Sequence, residues 1–84
     1  MSENIIVIFR KSNENREIDI EIPKNLTANE LIYGLNESFK LGINMDKPAE
    51  CYLRAKEPIA LIRGEKTLEE LGLRDGSIIF YDKR

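Results

Sequence analysis

The sequence has 84 residues, 33% charged and 42% hydrophobic, with 13 basic and 15 acidic side chains and a formal net charge of -2. A chain of this size buries only about 60–65% of the surface its unfolded form exposes, which leaves one thin core and no room for a deep substrate cavity. The acidic balance excludes a basic nucleic-acid footprint, the single cysteine excludes an internal disulfide or a multi-cysteine metal site, and the absence of histidine removes the usual general base and metal ligand.

The first predicted element is Ile5-Ile6-Val7-Ile8-Phe9, a β-branched and aromatic run that reads as a strand. At five residues it is far short of the roughly 20 that span a bilayer. Met1-Ser2-Glu3-Asn4 lacks the basic region of a signal peptide. A cytoplasmic protein without direct membrane insertion is expected, its lone thiol suiting a reducing compartment. Polar residues 11–15 predict a loop. Glu17-Ile18-Asp19-Ile20-Glu21-Ile22 then alternates strictly, as a half-buried strand does, with three isoleucines inward and three acids outward. Together the two runs predict a hairpin, and Pro23 ends it.

Thr27-Ala28-Asn29-Glu30 has the spacing of a capping box, with Leu26 and Leu31 placed as a hydrophobic staple. Ala28, Leu31, Ile32, Leu35 and Phe39 recur at helical spacing, so a helix is predicted from about Ala28 to Leu41, with Gly42 as terminator and Gly34 a weak point inside. A third strand is predicted over Glu50 to Ala55, with Cys51 and Leu53 on one face, and a short fourth over Ile59 to Ile62. Thr67-Leu68-Glu69-Glu70 repeats the capping-box spacing before Gly72, which predicts one helical turn. Asp75-Gly76 then turns the chain into a last strand, Ser77 to Asp82. The order is that of an α+β protein, a single domain over residues 1–84 with one helix against one sheet.

One helix covers one face of a sheet. The first and last strands are apolar on both. If Ile5, Val7, Phe9, Ile79 and Tyr81 point toward the helix, then Ile6, Ile8, Ile78 and Phe80 point away from it. Runs of this kind belong to strands buried on both sides, yet nothing in the chain remains to bury the second. These four, with Tyr52 and Arg54 beside them, are the expected protein-interaction residues, docking a partner or a second copy. The competing reading lays the stems of Arg10, Arg54 and Lys83 over the same residues and leaves no site.

Catalytic readings fail on their own chemistry. Cys51 has no histidine to activate it and reads as a small core residue. Glu17, Asp19 and Glu21 lie nearly 7 Å apart along a strand, too spread for a cation, and read as solvated charge that discourages edge pairing. Glu69 and Glu70 are adjacent on a turn and do not face each other. No phosphate loop, nucleophile elbow or metal motif occurs, so neither enzyme activity nor a cofactor is expected.

The hairpin, the central helix, Leu53, and then Thr67-Leu68-Glu69-Glu70-Leu71-Gly72-Leu73-Arg74-Asp75-Gly76-Ser77 before an apolar strand resemble the ubiquitin β-grasp over about Asn4 to Asp82. The resemblance implies a mixed five-stranded sheet with the first and last strands side by side at its centre. Ubiquitin and the sulfur carriers end in a flexible Gly-Gly tail whose carboxylate is adenylated. This sequence ends Tyr81-Asp82-Lys83-Arg84, so neither conjugation nor sulfur transfer is expected. Its brief lead, its length and its Leu-Gly-Leu-Arg-Asp-Gly segment resemble the EsaB/YukD family of Gram-positive bacteria. That family accompanies the type VII (ESX-like) secretion machinery, which implies a non-catalytic module with a secretion component as its protein partner. An adaptor for an unrelated cytoplasmic target, or a carrier lacking its tail, are the alternatives.

Overall fold

The computed structural model describes residues 3–11 and 16–81. Of the loop expected at 11–15, Lys11 instead continues the first strand, while residues 12–15 and the readings placed on Met1, Ser2, Asp82, Lys83 and Arg84 lie outside the described residues. The β-branched run forms β1 (Asn4–Lys11) and the alternating run forms β2 (Glu17–Pro23). After α1 (Ala28–Phe39) and a 3-10 turn at Pro48–Glu50 come β3 (Leu53–Lys56), β4 (Ala60–Ile62) and β5 (Ile78–Tyr81). The strands form one sheet in the order β2-β1-β5-β3-β4. Only the central β1–β5 pair is parallel; the other neighbours are antiparallel.

Alternation sorts the side chains. Ile5, Val7 and Phe9 of β1, Leu53 and Ala55 of β3, Ile62 of β4 and Ile79 of β5 are buried with Ala28, Leu31, Ile32 and Leu35 of α1. Phe39, at the end of α1, sets its ring 5.1 Å from that of Phe9, tilted by 39°. The three isoleucines of β2 do point inward, but only Ile22 is fully buried. An edge strand lies at the margin of what one short helix covers.

Several boundaries differ from the sequence expectation, each for a local reason. The helix stops at Phe39, two residues before Leu41, because Lys40 takes a left-handed conformation (φ 52°) and donates its N–H to the Asn36 carbonyl. The Asn36 side chain then accepts from the Ile43 N–H at 3.0 Å and donates to its carbonyl at 2.9 Å, fixing the exit before Gly42 could act. The third strand begins at Leu53 rather than Glu50, since Pro48 opens a 3-10 turn instead. Cys51 is buried as expected but lies ahead of the strand, its thiol donating to the carbonyls of Asn44 and Lys47 at 3.2 and 3.3 Å. The fourth strand starts at Ala60, which leaves Ile59 in the turn.

Both capping boxes form. The Thr27 N–H donates to Glu30 Oε1 at 3.0 Å and the Glu30 N–H to Thr27 Oγ1 at 3.2 Å; Thr67 and Glu70 do the same at 2.9 and 3.1 Å. The second box closes one turn of helical bonding, from the Leu71 N–H to the Thr67 carbonyl, too brief to count as a helix. The two boxes sit back to back. Thr27 bridges Thr67, Ala28 donates to the Lys66 carbonyl, and Leu68 donates to that of Leu26. The start of α1 is thereby sewn to the segment that leads into β5.

Gly34 is exposed on α1, and a Cβ there would meet nothing within 4 Å. Gly34→Ala should therefore stabilise the protein by about 1 kcal/mol, read as a higher urea midpoint with unchanged slope. In both boxes the threonine's backbone and side-chain hydrogen bonds hold the glutamate carboxyl below its usual pKa. Their stabilisation is complete above the ordinary glutamate value of about 4.3 and is lost as pH falls through the lower folded values. Thermal melts from pH 7 to pH 3 should show that loss, and the Glu30→Gln/Glu70→Gln variant should show less of it.

Candidate functional site: the open sheet face

The face of the sheet opposite α1 is set by register. One row runs Asp19, Ile8, Ile78, Lys56 across β2, β1, β5 and β3. The next runs Glu17, Arg10, Phe80, Arg54 and, on β4, Leu61. Glu21 and Ile6 begin a third. All these residues alternate with neighbours that face α1, so their side chains share the uncovered side. Ile6 is 48% exposed, Ile8, Ile78 and Phe80 are half-buried, and Arg54 is exposed. Tyr52 is half-buried just before β3 and lines, with Arg54, Phe80, Tyr81, Leu41 and Ile43, a groove of about 570 Å3 at one end of the face. The six residues singled out from the sequence thus lie on one continuous surface.

Sequence reasoning missed its far side. Leu61 is 47% exposed in register with Arg54, and Ile59 is 93% exposed in the preceding turn. With Phe80, Ala60, Arg54 and Lys56 they line a second groove of about 580 Å3. The run Ile59-Ala60-Leu61-Ile62 has no polar alternation, so only its pairing with β3 reveals that Ile62 is inside and Leu61 outside.

Charge is arranged in two flanks. β2 carries Glu17, Asp19 and Glu21; β3 carries Arg54 and Lys56. Some of these groups have partners within the face: Arg10 bridges to Glu17, Asn4 Nδ2 donates to Glu21 at 3.0 Å, and the Lys56 ammonium lies 5.8 Å from the centre of the Phe80 ring. Aliphatic stems cover the patch only in part, since Ile6 and Leu61 each keep about half their surface. Lys83, expected among those stems, lies outside the described residues. Among the described residues no group of three or more His, Cys, Asp or Glu side chains converges as a metal site, and no helix is long and apolar enough to cross a membrane.

The segment that carries the sequence resemblance builds the centre of this face. Gly76 (φ 88°) allows the tight turn closed by the Ser77 N–H and the Arg74 carbonyl at 3.0 Å. Asp75 Oδ1 accepts the Ile6 N–H at 2.8 Å, the Ile6 carbonyl accepts from Gly76, and Ile8 donates to the Ser77 carbonyl. These bonds bring β5 against β1 and set Ile78 beside Ile8. Ser77, 1% exposed, accepts from the Arg74 N–H and donates to the Glu57 carbonyl at 2.9 Å, tying the turn that holds Ile59 to the root of β5.

A five-stranded mixed sheet grasping one helix on a single face defines a ubiquitin-like β-grasp protein. Solved structures with this fold include the C-terminal ubiquitin-like domain of mouse tubulin-specific chaperone e, with a TM-score of 0.75 and 13% identity over 99% of this chain and 89% of that one. The ubiquitin-like domain of tubulin-binding cofactor B gives 0.70 and 20% identity, over 99% and 92%. The UBL domain of Plasmodium falciparum Dsk2 gives 0.66 and 20%, over 98% and 100%. At such identities the likeness is one of fold. No curated protein matches the sequence. The family is given by sequence: the chain belongs to the YukD family, described as "WXG100 protein secretion system (Wss), protein YukD", whose profile matches residues 6–80. It is a ubiquitin-like module linked to type VII secretion.

Ser77→Ala removes both hydroxyl bonds, each worth about 0.5–1.5 kcal/mol, so it should cost about 1–3 kcal/mol in chemical denaturation. Hydrogen exchange should quicken at the Glu57–Ile59 turn more than in α1.

Proposed function

We propose that the protein acts, as one domain over residues 1–84, as a non-catalytic docking module that binds a protein component of the type VII secretion machinery in the cytoplasm. The binding surface is the open sheet face, with Ile6, Ile8, Ile78 and Phe80 at its centre. Tyr52 and Arg54 lie at one end, and Leu61 and Ile59 extend it over β4. The observation that carries the reading is a cluster of apolar side chains, Ile6, Ile8, Ile78 and Phe80 with Leu61 nearby, on a face the chain's own helix does not cover. Clusters of this kind on small proteins mark interaction sites, whereas singly scattered apolar residues do not. Membership of the YukD family supplies the secretion context. Burying such a face draws on about 1.5–3 kcal/mol for each large apolar side chain fully removed from water, while the acidic and basic flanks orient the partner.

Capture of secretion components by the tagged protein from secretion-competent cells tests this directly. Ile8→Glu and Phe80→Glu each place a carboxylate in the proposed interface and should lower capture at least about tenfold, at unchanged circular dichroism, because both side chains point away from the core. Capture indifferent to both variants, with export intact after deletion of the gene, would reject the reading.

A further inference from the structure

The open face is complementary to itself. Its central row reads Asp19, Ile8, Ile78, Lys56, an acid, two isoleucines and a base in register across four strands. Read from the other end, the same row presents a base where the first presented an acid, and isoleucine again where it presented isoleucine. The neighbouring row behaves alike: Glu17, Arg10, Phe80, Arg54 reverses so that Glu17 meets an arginine and Arg10 meets the Phe80 ring.

We propose that the occupant of this face in the free protein is a second copy of the chain, packed sheet to sheet about a two-fold axis that runs parallel to the strands between β1 and β5. This deepens the docking reading and rests on it. A rotation about that axis keeps each row at its own height and reverses its order. β2 of one copy then lies over β3 of the other, and β1 over β5. Asp19 faces Lys56 of the second copy, Ile8 faces Ile78, Arg10 faces Phe80, and Glu17 faces Arg54. Strand directions stay aligned, the usual arrangement of two sheets about 10 Å apart. The other simple two-fold, across the strands, would set β2 over β2 and the acid row against itself, which like-charge repulsion disfavours. Charge therefore selects both the occupant and its orientation, as isologous interfaces require.

The patch spans about 20 Å on a side from strand and residue spacings, roughly 800 Å2 in total over two copies, which is below the size of stable specific interfaces, so a weak, concentration-dependent dimer is expected. A secretion partner using the same face would displace the second copy.

Sedimentation of the full chain from about 10 µM to about 1 mM is expected to show a monomer–dimer equilibrium. Asp19→Lys or Lys56→Glu, each checked for folding by circular dichroism, should raise the dissociation constant at least about tenfold, since each sets like charges opposite one another. The double variant Asp19→Lys/Lys56→Glu keeps the net charge of the original and should return to within about threefold of it. Ile8→Glu should abolish association. A monomer at every concentration, a dimer indifferent to the two charge reversals, or a double variant no better than either single one would each overturn the proposal. A monomer whose capture of secretion components still depends on Ile8 would overturn the dimer while leaving the docking face standing. Charge-swap rescue of a dimer together with capture indifferent to Ile8 would support the dimer and reject the secretion partner.

Discussion

The parallel seam between β1 and β5 is the constraint on which the rest of this structure depends. Parallel strands cannot be joined by a tight turn, so the chain must leave β1, build everything else, and return. What brings it back in register is one short segment: Asp75 accepts the Ile6 N–H, Gly76 supplies a positive φ, and the backbone of Gly76 and Ser77 continues the ladder to Ile6 and Ile8. The seam places Phe9 beside Ile79 under the helix, and it places Ile8 beside Ile78 on the opposite side. Core and candidate surface are two faces of the same pairing.

The helix must then be held over one side of that seam, and twelve residues give it little means of its own. The two capping boxes solve this by pairing. Thr27 and Thr67 each satisfy the first turn of their own segment, and the backbone between them links the start of α1 to the approach to β5. With α1 fixed there, Leu31, Ile32 and Leu35 seal the inner face. No further helical layer among the described residues covers the outer one. That imbalance is what turns an ordinary pair of central strands into an exposed apolar surface.

Polarity across the outer face follows from the order of the strands. The acids of β2 guard one edge of the sheet against unwanted pairing, and their spread along the strand keeps them from converging on a cation. The opposite edge, Ala60-Leu61-Ile62, carries no charge of its own. Arg54 and Lys56 beside it supply the basic flank, and Lys56 reaches over Phe80. An apolar strip between an acidic and a basic margin offers orientation as well as area, which suits binding rather than catalysis.

Much of this was legible in the sequence. The alternation of β2, both capping boxes and the two-sided apolar runs of β1 and β5 gave the α+β class and the uncovered face, because periods of 2 and 3.6 and short-range hydrogen bonds are local properties. The likeness to ubiquitin was carried by the Thr67 to Ser77 segment, whose turn chemistry is equally local, and the family itself is shown by the profile match over residues 6–80. Element ends were not legible: Lys40 and Asn36 ended α1 through bonds to residues further on, and Pro48 traded strand for a 3-10 turn. Nor was the outward place of Leu61 and Ile59, since an unbroken apolar run has no period until a partner strand fixes which side is which. Residue type and spacing determined that one face would be left open. Only the pairing of strands distant in sequence decided which residues meet there and in what order, because register is a relation between strands and no strand carries it alone.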